Sequence, residues 1–91
     1  MAYVVYILYS QKDRKLYVGC TSNISERLER HQSGQVRATV NRRPLDIIHT
    51  EQFESTTDAF NRERFLKSLW GAREKKKILL EWLQNKADGM L

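Results

Sequence analysis

Five side chains of catalytic type are spaced so that a small fold could gather them: Tyr6, Tyr17, Arg27, His31 and Glu63. A phenol or an imidazole can transfer a proton, a guanidinium can hold phosphate oxygens through paired N–H groups, and a carboxylate can bind a divalent cation. Each residue also has an ordinary structural explanation. The two tyrosines lie in adjacent apolar stretches, where they are either core aromatics or two phenols placed side by side across a hairpin.

Arg27 and His31 lie near the apolar side of a predicted helix in "TSNISERLERHQSG". Residues advance by about 100° each along a helix, so Ile24 and Leu28 define its inward direction and His31 falls on the same stripe. Arg27 lies on the same side because residues i and i+4 share a helix face. His31 is either a hydrogen-bonded, half-buried histidine or a functional group.

Glu63 falls on the inner stripe of a second predicted helix, which Ala59, Leu66 and Trp70 mark. A carboxylate in that position is costly unless it is paired or binds a cation. The residue therefore forms either an internal ion pair, for instance with Arg27, or a metal ligand or acid–base group. Zinc-spaced Cys/His clusters, nucleotide-binding glycine loops and Ser/His/Asp sets are not recognisable in the sequence.

Two short strands must position the tyrosines. The β-branched and aromatic run Tyr3 to Tyr9 predicts a buried strand, and Lys15 to Cys20 predicts a second. The short polar turn between them favours an antiparallel hairpin. Gly19 inside the second strand predicts a bulge or a close backbone approach.

The rest of the chain predicts three helices and one more strand. The first helix is capped by Asn23 with Glu26 and ends near Gly34. The later elements are a basic loop at 35–43, a strand at Leu45 to Phe53, a helix capped by Ser55 or Thr56 that ends or bends at Gly71, a helix at 72–86 with Ile78, Leu79, Trp82 and Leu83 on one side, and a frayed tail at Asp88 to Leu91. The order β-β-α-β-α-α predicts an α+β fold with a small three-stranded antiparallel sheet flanked by three helices.

Charge is distributed unevenly along the 91 residues, a length typical of one domain. Residues 1–45 contain eight Lys and Arg and three Asp and Glu, a net charge of +5, whereas residues 46–91 contain eight of each. The localised excess indicates a polyanion partner, most commonly nucleic acid, or else a solubilising surface. The single cysteine, Cys20, and the shortness of the first apolar run favour a cytoplasmic protein without a membrane partner.

The motifs together resemble a known family. "VVY" followed after ten residues by "YVG" resembles the paired signature of the GIY-YIG endonuclease domain, and "YVGCTSNISERLERH" resembles its second motif and helix. "DAFNRERFLKSLWG" resembles the helix that carries the family's metal-binding glutamate. The resemblance covers residues 3–83 of a predicted single domain at 1–91, and is strongest to the small stand-alone bacterial (UPF0213-like) members. The first motif lacks a starting glycine, and Cys20 stands where some members have lysine.

The resemblance implies an endonuclease that hydrolyses phosphodiester bonds in DNA with one divalent ion, Mg²⁺ or Mn²⁺. Tyr6 would take the proton from the attacking water and Tyr17 would orient water or phosphate, or the two roles are reversed. Arg27 would hold the phosphate, His31 would bond a tyrosine or a phosphate, and Glu63 would bind the metal. We expect the two phenols on one face of the sheet, opposite Arg27 and Glu63.

The same interpretation predicts which residues contact nucleic acid. Gly19 would leave the sheet face open for phosphate, Arg37, Arg42 and Arg43 would follow the backbone, and Thr39 would add a hydrogen bond. A nucleic-acid-binding module without catalysis is the alternative, and a subunit that binds an acidic protein is a third. A protein partner for targeting is also expected, because a lone small domain should bind weakly.

Overall fold

The computed structural model of the protein describes residues 2–89, and its element order is the predicted one. The elements are β1 (Tyr3–Ser10), β2 (Leu16–Thr21), α1 (Ile24–Gln32), β3 (Leu45–Phe53), α2 (Thr56–Lys67) and α3 (Ala72–Gly89), with short 3₁₀ turns at Val40–Arg42 and Leu69–Gly71. The strands form one antiparallel sheet in the order β2-β1-β3. The α+β prediction is therefore confirmed. Within residues 2–89 no helix combines the length and apolar character that a membrane crossing requires.

The β1–β2 hairpin places both tyrosines on one face. Tyr6 pairs with Gly19, and Leu8, two residues further along β1, pairs with Tyr17. Paired residues point their side chains to the same face, and the pattern repeats every two residues, so Tyr6 and Tyr17 share a face as predicted. The sheet's register shift lies between Ile7 and Leu8 in the β1–β3 pairing. The pairing at Gly19 is regular, so the bulge, one of the two alternatives predicted there, is not formed.

Helices cover both faces of the sheet. On one face Val5, Ile7 and Val18 pack with Ala59 and Leu66 of α2. On the other face, Tyr6 and Leu8 pack with side chains that include Ile24 and Leu28 of α1. The inward directions predicted for Ile24, Leu28, Ala59 and Leu66 are confirmed. The tyrosines consequently face α1, and α2 lies on the opposite side of the sheet.

The predicted inward position of Trp70 is wrong, since its side chain is 85% exposed. The helix α2 ends at Lys67, and Ser68 has an extended backbone (ψ 169°) that turns the chain. The helical spacing that placed Trp70 beside Leu66 does not continue through that turn. Gly71 closes the turn and is buried.

The helix caps and the end of the last helix can also be compared with the sequence predictions. Asn23 Oδ1 accepts from the Glu26 N–H at 3.1 Å, and Ser55 Oγ accepts from the Asp58 N–H at 3.3 Å, so both caps are confirmed. Helix α3 extends to Gly89, beyond the predicted end, and Leu83 is 38% exposed. Of the predicted frayed tail, 88 and 89 are helical and 90–91 lie outside the described residues.

Candidate active site

The hydroxyl of Tyr6 lies at the centre of the site. Tyr6 is in β1, the central strand, and only 1% of its surface is exposed. A Cβ atom at Gly19 would collide with the Tyr6 hydroxyl, so glycine is required here for the tyrosine ring to lie across β2. The predicted close approach is therefore real, but the space over Gly19 is filled by Tyr6. The phosphate contact expected at Gly19 stays a prediction.

A buried hydrogen-bond chain leads away from Tyr6. Tyr6 Oη is 2.9 Å from His31 Nε2, and His31 Nδ1 is 2.8 Å from Thr39 Oγ1. Both His31 and Thr39 are 0% exposed. Thr39 Oγ1 donates to the Val36 carbonyl at 3.5 Å. Tyr6 Oη accepts from Arg27, so we assign its own proton to the bond with His31 Nε2 and the imidazole proton to Nδ1, which then donates to Thr39.

The chain is neutral near pH 7. Burial, together with the positive charges of Arg27 and Arg30, lowers the pKa of His31 from 6.5 to about 4. Burial raises the pKa of Tyr6, and its hydrogen bond to Arg27 only partly opposes that effect. The phenol is thus protonated, and its proton points at an unprotonated imidazole nitrogen.

Arg27 supplies the positive charge of the site. Its Nε donates to Tyr6 Oη at 3.3 Å, and this bond raises the pKa of the guanidinium further. Among residues 2–89 it forms no ion pair with a carboxylate. It also borders a small cavity of about 150 Å³ lined by Thr21, Ser22, Asn23, Glu26, Arg27 and Arg30. A half-buried guanidinium without a carboxylate partner can bind an anionic ligand.

Tyr17 is the more accessible of the two phenols. It is half-buried, and its ring centroid lies 6.3 Å from that of Tyr6 and 5.1 Å from that of His31. The fold thus brings Tyr6, Tyr17, Arg27 and His31 together on the α1 side of the sheet. These four residues were all predicted as site residues.

Glu63 lies elsewhere than expected. It belongs to α2, which packs on the face opposite the tyrosines, so the expected placement with Arg27 across from the phenols is wrong. Its carboxylate pairs with Lys67 at 3.3 Å, not with Arg27. Burial raises the pKa of Cys20 on the edge strand β2, and the charge of Glu63 adds to that effect and, to a lesser extent, to the raised pKa of Tyr6. The charge of Glu63 is thus felt at Tyr6 although its helix packs on the other face.

The carboxylate of Glu63 can supply one ligand to a metal ion but does not form a complete metal site by itself. Among residues 2–89, no group of three or more His, Cys, Asp or Glu side chains is placed to hold a metal ion. Mg²⁺ commonly keeps several waters and uses one or two protein carboxylates with substrate phosphate. Glu63 fits that mode, in which substrate completes the coordination.

Two predicted nucleic-acid contacts have structural roles. Thr39 is buried and hydrogen-bonded to His31, so its predicted direct contact with nucleic acid is wrong. Arg42 Nε donates to Asp13 at 2.7 Å, and this bond lowers the pKa of Asp13 to about 2. Arg42 also donates to the Leu16 carbonyl at 3.4 Å. These contacts tie the basic loop to the β1–β2 hairpin.

Arg37 and Arg43 remain exposed at the basic loop. Arg43 donates to the Val40 and Gln32 carbonyls at 3.0 and 3.3 Å and borders a cavity of about 450 Å³. Lys12, which the sequence analysis missed, lines the same cavity. Lys12 is far from Arg43 in sequence, and the pairing of Gln11 with the Pro44 carbonyl brings the hairpin turn to the loop.

Similarity to known proteins identifies the family to which the chain belongs. A family model described as the GIY-YIG catalytic domain matches residues 2–77. The chain belongs to the GIY-YIG family. Among its relatives are a UPF0213 protein of Natronomonas pharaonis, 37% identical over 81% of this chain and 87% of the relative, and one of Limosilactobacillus reuteri, 37% identical over 87% and 83%. The resemblance in sequence motifs is thereby confirmed, and GIY-YIG membership assigns the chain to a nuclease family.

A solved structure has the same GIY-YIG-like fold. The solution NMR structure of a UPF0213 protein from Bacillus halodurans aligns with a TM-score of 0.55 and 31% identity, over 88% of this chain and 85% of that one. The alignment supports the three-stranded α+β architecture described above. Site residues in this chain are assigned from its own geometry.

Proposed function

We propose that the protein is a metal-dependent endonuclease that hydrolyses phosphodiester bonds in DNA. The observation that carries this proposal is the Tyr6 hydroxyl, held 2.9 Å from a neutral imidazole nitrogen and 3.3 Å from the guanidinium of Arg27. A purely structural tyrosine needs one hydrogen-bond partner. Here the phenol has both an acceptor for its proton and a cation that stabilises negative charge on its oxygen.

The residues can move one proton in a balanced step. Tyr6 Oη takes a proton from the attacking water while it passes its own proton to His31 Nε2, and the hydroxide attacks phosphorus. Tyr6 stays neutral and His31 becomes imidazolium. The low pKa of His31 opposes this step in the free protein. A phosphate bound beside Arg27 adds negative charge and favours the imidazolium.

Arg27 binds and stabilises the reacting phosphate. Its guanidinium donates charge-assisted hydrogen bonds to phosphate oxygens, and these strengthen as charge builds on them. Tyr17, half-exposed beside Tyr6, orients the water or the phosphate. A Mg²⁺ or Mn²⁺ ion held by Glu63 would supply charge stabilisation for the leaving oxygen.

The nucleic-acid partner and the location rest on charge and cysteine content. Lys12 and Arg43 line the same cavity, Arg37 is exposed on the same basic loop, and these cations suit a phosphate backbone. Cys20 is a free thiol, as is common in a reducing compartment, and this supports a cytoplasmic location. A protein partner for targeting stays a prediction.

A cleavage assay tests the proposal. Wild type and Glu63→Gln are incubated with single-stranded, duplex and branched DNA, with and without Mn²⁺. We expect metal-dependent cutting by wild type and by the control Glu54→Gln, whose side chain is exposed before α2, and none by Glu63→Gln. Equal cutting by wild type and Glu63→Gln would remove the glutamate from the mechanism.

The alternative is a nucleic-acid-binding module of the same fold without catalysis. The enclosure of Tyr6 and the raised pKa of its phenol favour it, since no phenolate is ready to act as a base. Salt-sensitive DNA binding by wild type, with no cutting of any substrate in Mn²⁺, would establish this alternative.

A further inference from the structure

The turn between α2 and α3 displays two large apolar side chains to solvent. Leu69 is 92% exposed and Trp70 is 85% exposed. Burying such a side chain stabilises a protein by roughly 1.5–3 kcal/mol. The exposure of these two side chains therefore does not stabilise the fold. The pair therefore calls for an explanation other than packing.

Hydrogen bonds and close packing hold the turn that carries the pair. The Ser68 N–H and Oγ both donate to the Phe65 carbonyl, at 3.0 and 2.6 Å, and the Gly71 N–H donates to the Ser68 carbonyl at 3.1 Å. A Cβ atom at Gly71 would collide with the Phe65 carbonyl and with Leu66 Cα. The buried glycine thus docks the turn on α2, while the residues before it point outward.

The chain segment that contains the pair carries a positive charge. Between residues 64 and 77 the chain has one acidic residue and six basic ones: Arg64, Lys67, Arg73, Lys75, Lys76 and Lys77. The acidic residue, Glu74, is already paired with Arg62, and one of the cations, Lys67, is already paired with Glu63 at 3.3 Å. Among the described residues, the other five cations form no ion pair. Residues 46–91 contain equal numbers of acidic and basic side chains, but all of the acidic ones except Glu74 lie outside residues 64–77. The zero net charge of that half therefore conceals the local excess.

We propose that Trp70, together with Leu69, is a stacking surface for an unpaired base of a nucleic-acid strand whose backbone follows the cations of this region. An exposed aromatic ring amid lysines and arginines matches how single strands are bound, with bases stacked on rings and phosphates held by cations. This inference rests on the proposed function, for which it names the substrate class: single-stranded DNA or DNA with unpaired nucleotides.

The chemistry of the surface favours this occupant over a second copy of the chain. A symmetric self-contact through Trp70 would bring the cations of both copies together without added carboxylates. A single strand offers both phosphates for the cations and flat bases for the indole. Paired bases inside a duplex are already stacked on one another, so Trp70 should discriminate between the two forms.

The test measures binding and not cleavage, so that failure of the stacking surface and failure of the nuclease proposal are separate results. The 91-residue protein carries Glu63→Gln and is titrated without metal at low salt with a thymidine dodecamer or with a duplex of equal length. Trp82, the other tryptophan, packs against Tyr9 at 5.7 Å between ring centroids. Trp82→Phe therefore leaves Trp70 as the sole indole reporter.

We expect the single strand to quench Trp70 fluorescence. Trp70→Ala should weaken single-strand binding about tenfold, within the range for loss of one stacked base, while Trp70→Phe retains most of it. Duplex binding should change less than about twofold. The control Trp82→Ala should leave both affinities near those of the parent, with circular dichroism reporting on folding.

Several results would overturn the proposal. Single-strand binding without quenching, or equal weakening of single-strand and duplex binding by Trp70→Ala, would show that the indole is not a stacking surface. Sedimentation that finds a dimer in the parent protein and a monomer in Trp70→Ala would assign the surface to a second copy.

Discussion

Two half-buried arginines lie on opposite sides of the sheet, and their partners differ. On α1, Arg27 donates to the neutral hydroxyl of Tyr6 at 3.3 Å. On α2, Arg62 Nε donates to Glu51 at 2.8 Å, and its terminal nitrogens bond both Glu51 and Glu74. Arg62 lowers the pKa of each of those carboxyls, and they raise the pKa of its guanidinium.

The difference distinguishes a folding contact from a binding group. Arg62 joins β3, α2 and α3 in an ion-pair network with two carboxylates, which His49 extends through Glu51 at 2.7 Å. Its donors are committed to carboxylates, so a substrate would have to displace them. Arg27 has no such partner and stands beside a neutral proton chain. A cation that the fold leaves without a carboxylate partner is available to a ligand, whereas a cation paired with carboxylates contributes to stability.

The largest expected effect is that of Arg27→Met on cleavage. Loss of the guanidinium removes phosphate stabilisation and should lower the rate about 100- to 1,000-fold, as loss of one preorganised donor does in other enzymes. The free energy of unfolding should change by less than about 1 kcal/mol, because the methionine stem replaces the aliphatic part of a half-buried side chain.

Rates on single-turnover DNA cleavage and urea unfolding measure the two effects. Arg30→Met is the matched control, since Arg30 is exposed on the same helix and should keep most of the rate. A folded Arg27→Met that cuts at the wild-type rate would end the assignment of Arg27 to phosphate.

Arg62→Met should show the opposite pattern. It leaves Glu51 and Glu74 without their shared partner at a partly buried position, at a cost of about 2 kcal/mol in the free energy of unfolding. Cleavage by the folded fraction should stay within about twofold, because Arg62 belongs to α2, which packs on the face of the sheet opposite Tyr6.

Arg64→Met, exposed on the same helix, provides the control for loss of charge. Urea unfolding at low and high salt measures the effect. If Arg62→Met were as stable as Arg64→Met, the network would be a set of surface contacts of little value.

Sequence reasoning predicted the fold and the clustering of Tyr6, Tyr17, Arg27 and His31, because both depend on local periodicity. The catalytic roles of these residues stay predictions. Strand alternation fixed the common face of Tyr6 and Tyr17, and helix spacing fixed Arg27 and His31. The faces of the sheet that α1 and α2 cover are set by chain crossovers, so the placement of Glu63 was wrong. Trp70 was misplaced by one extended residue at Ser68, whose backbone angles no pattern encodes.

Long-range partners were the other gap. Thr39 lies eight residues after His31 across an irregular loop, and helical or strand spacing says nothing about such a contact. The Arg62 network joins β3 to α2 and α3, and its members lie in separate charge runs that resemble ordinary solvated faces. The buried polar stripe at His31 was the one available signal that a partner existed.

The pH dependence of stability sharpens the contrast between the neutral chain and the charged network. His31 has a folded-state pKa of about 4 against an ordinary value of 6.5. Between those values the unfolded chain binds a proton that the folded protein resists, so stability is full above pH 6.5 and falls as pH drops towards 4. The loss from pH 6.5 to 4.5 should be about 2 kcal/mol.

The Arg62 network does not contribute to this loss of stability between pH 6.5 and 4.5. The pKa values of Glu51 and Glu74 lie below the ordinary 4.5, so their contribution to stability is lost only at lower pH. Urea unfolding across the pH range, with His31→Gln and the control His49→Gln, measures the effect. Only His31→Gln should flatten the curve. The proton resonances of the two histidines give the pKa of His31 directly, and a value near 6.5 would contradict the buried neutral chain.

The smallest expected effect is that of Thr39→Val, which tests whether the neutral chain has a fixed direction. Valine matches the shape of threonine but leaves the His31 Nδ1–H without its acceptor, a loss worth about 1 kcal/mol in stability. With no partner at Nδ1, the imidazole no longer favours the form in which Nε2 accepts from Tyr6. Cleavage should fall about tenfold, in line with one unsatisfied buried group.

Thr39→Ser keeps the hydroxyl and should restore both the rate and the tautomer, which the ¹⁵N shifts of His31 report. A purely structural threonine would change stability and leave the tautomer and the pH–rate profile as in wild type. The Arg62 network needs no such order, since its ion pairs are favourable whichever oxygen accepts. A proton path works only when each donor faces an acceptor, so sensitivity to one remote hydroxyl is the property that separates the Tyr6 cluster from the network across the sheet.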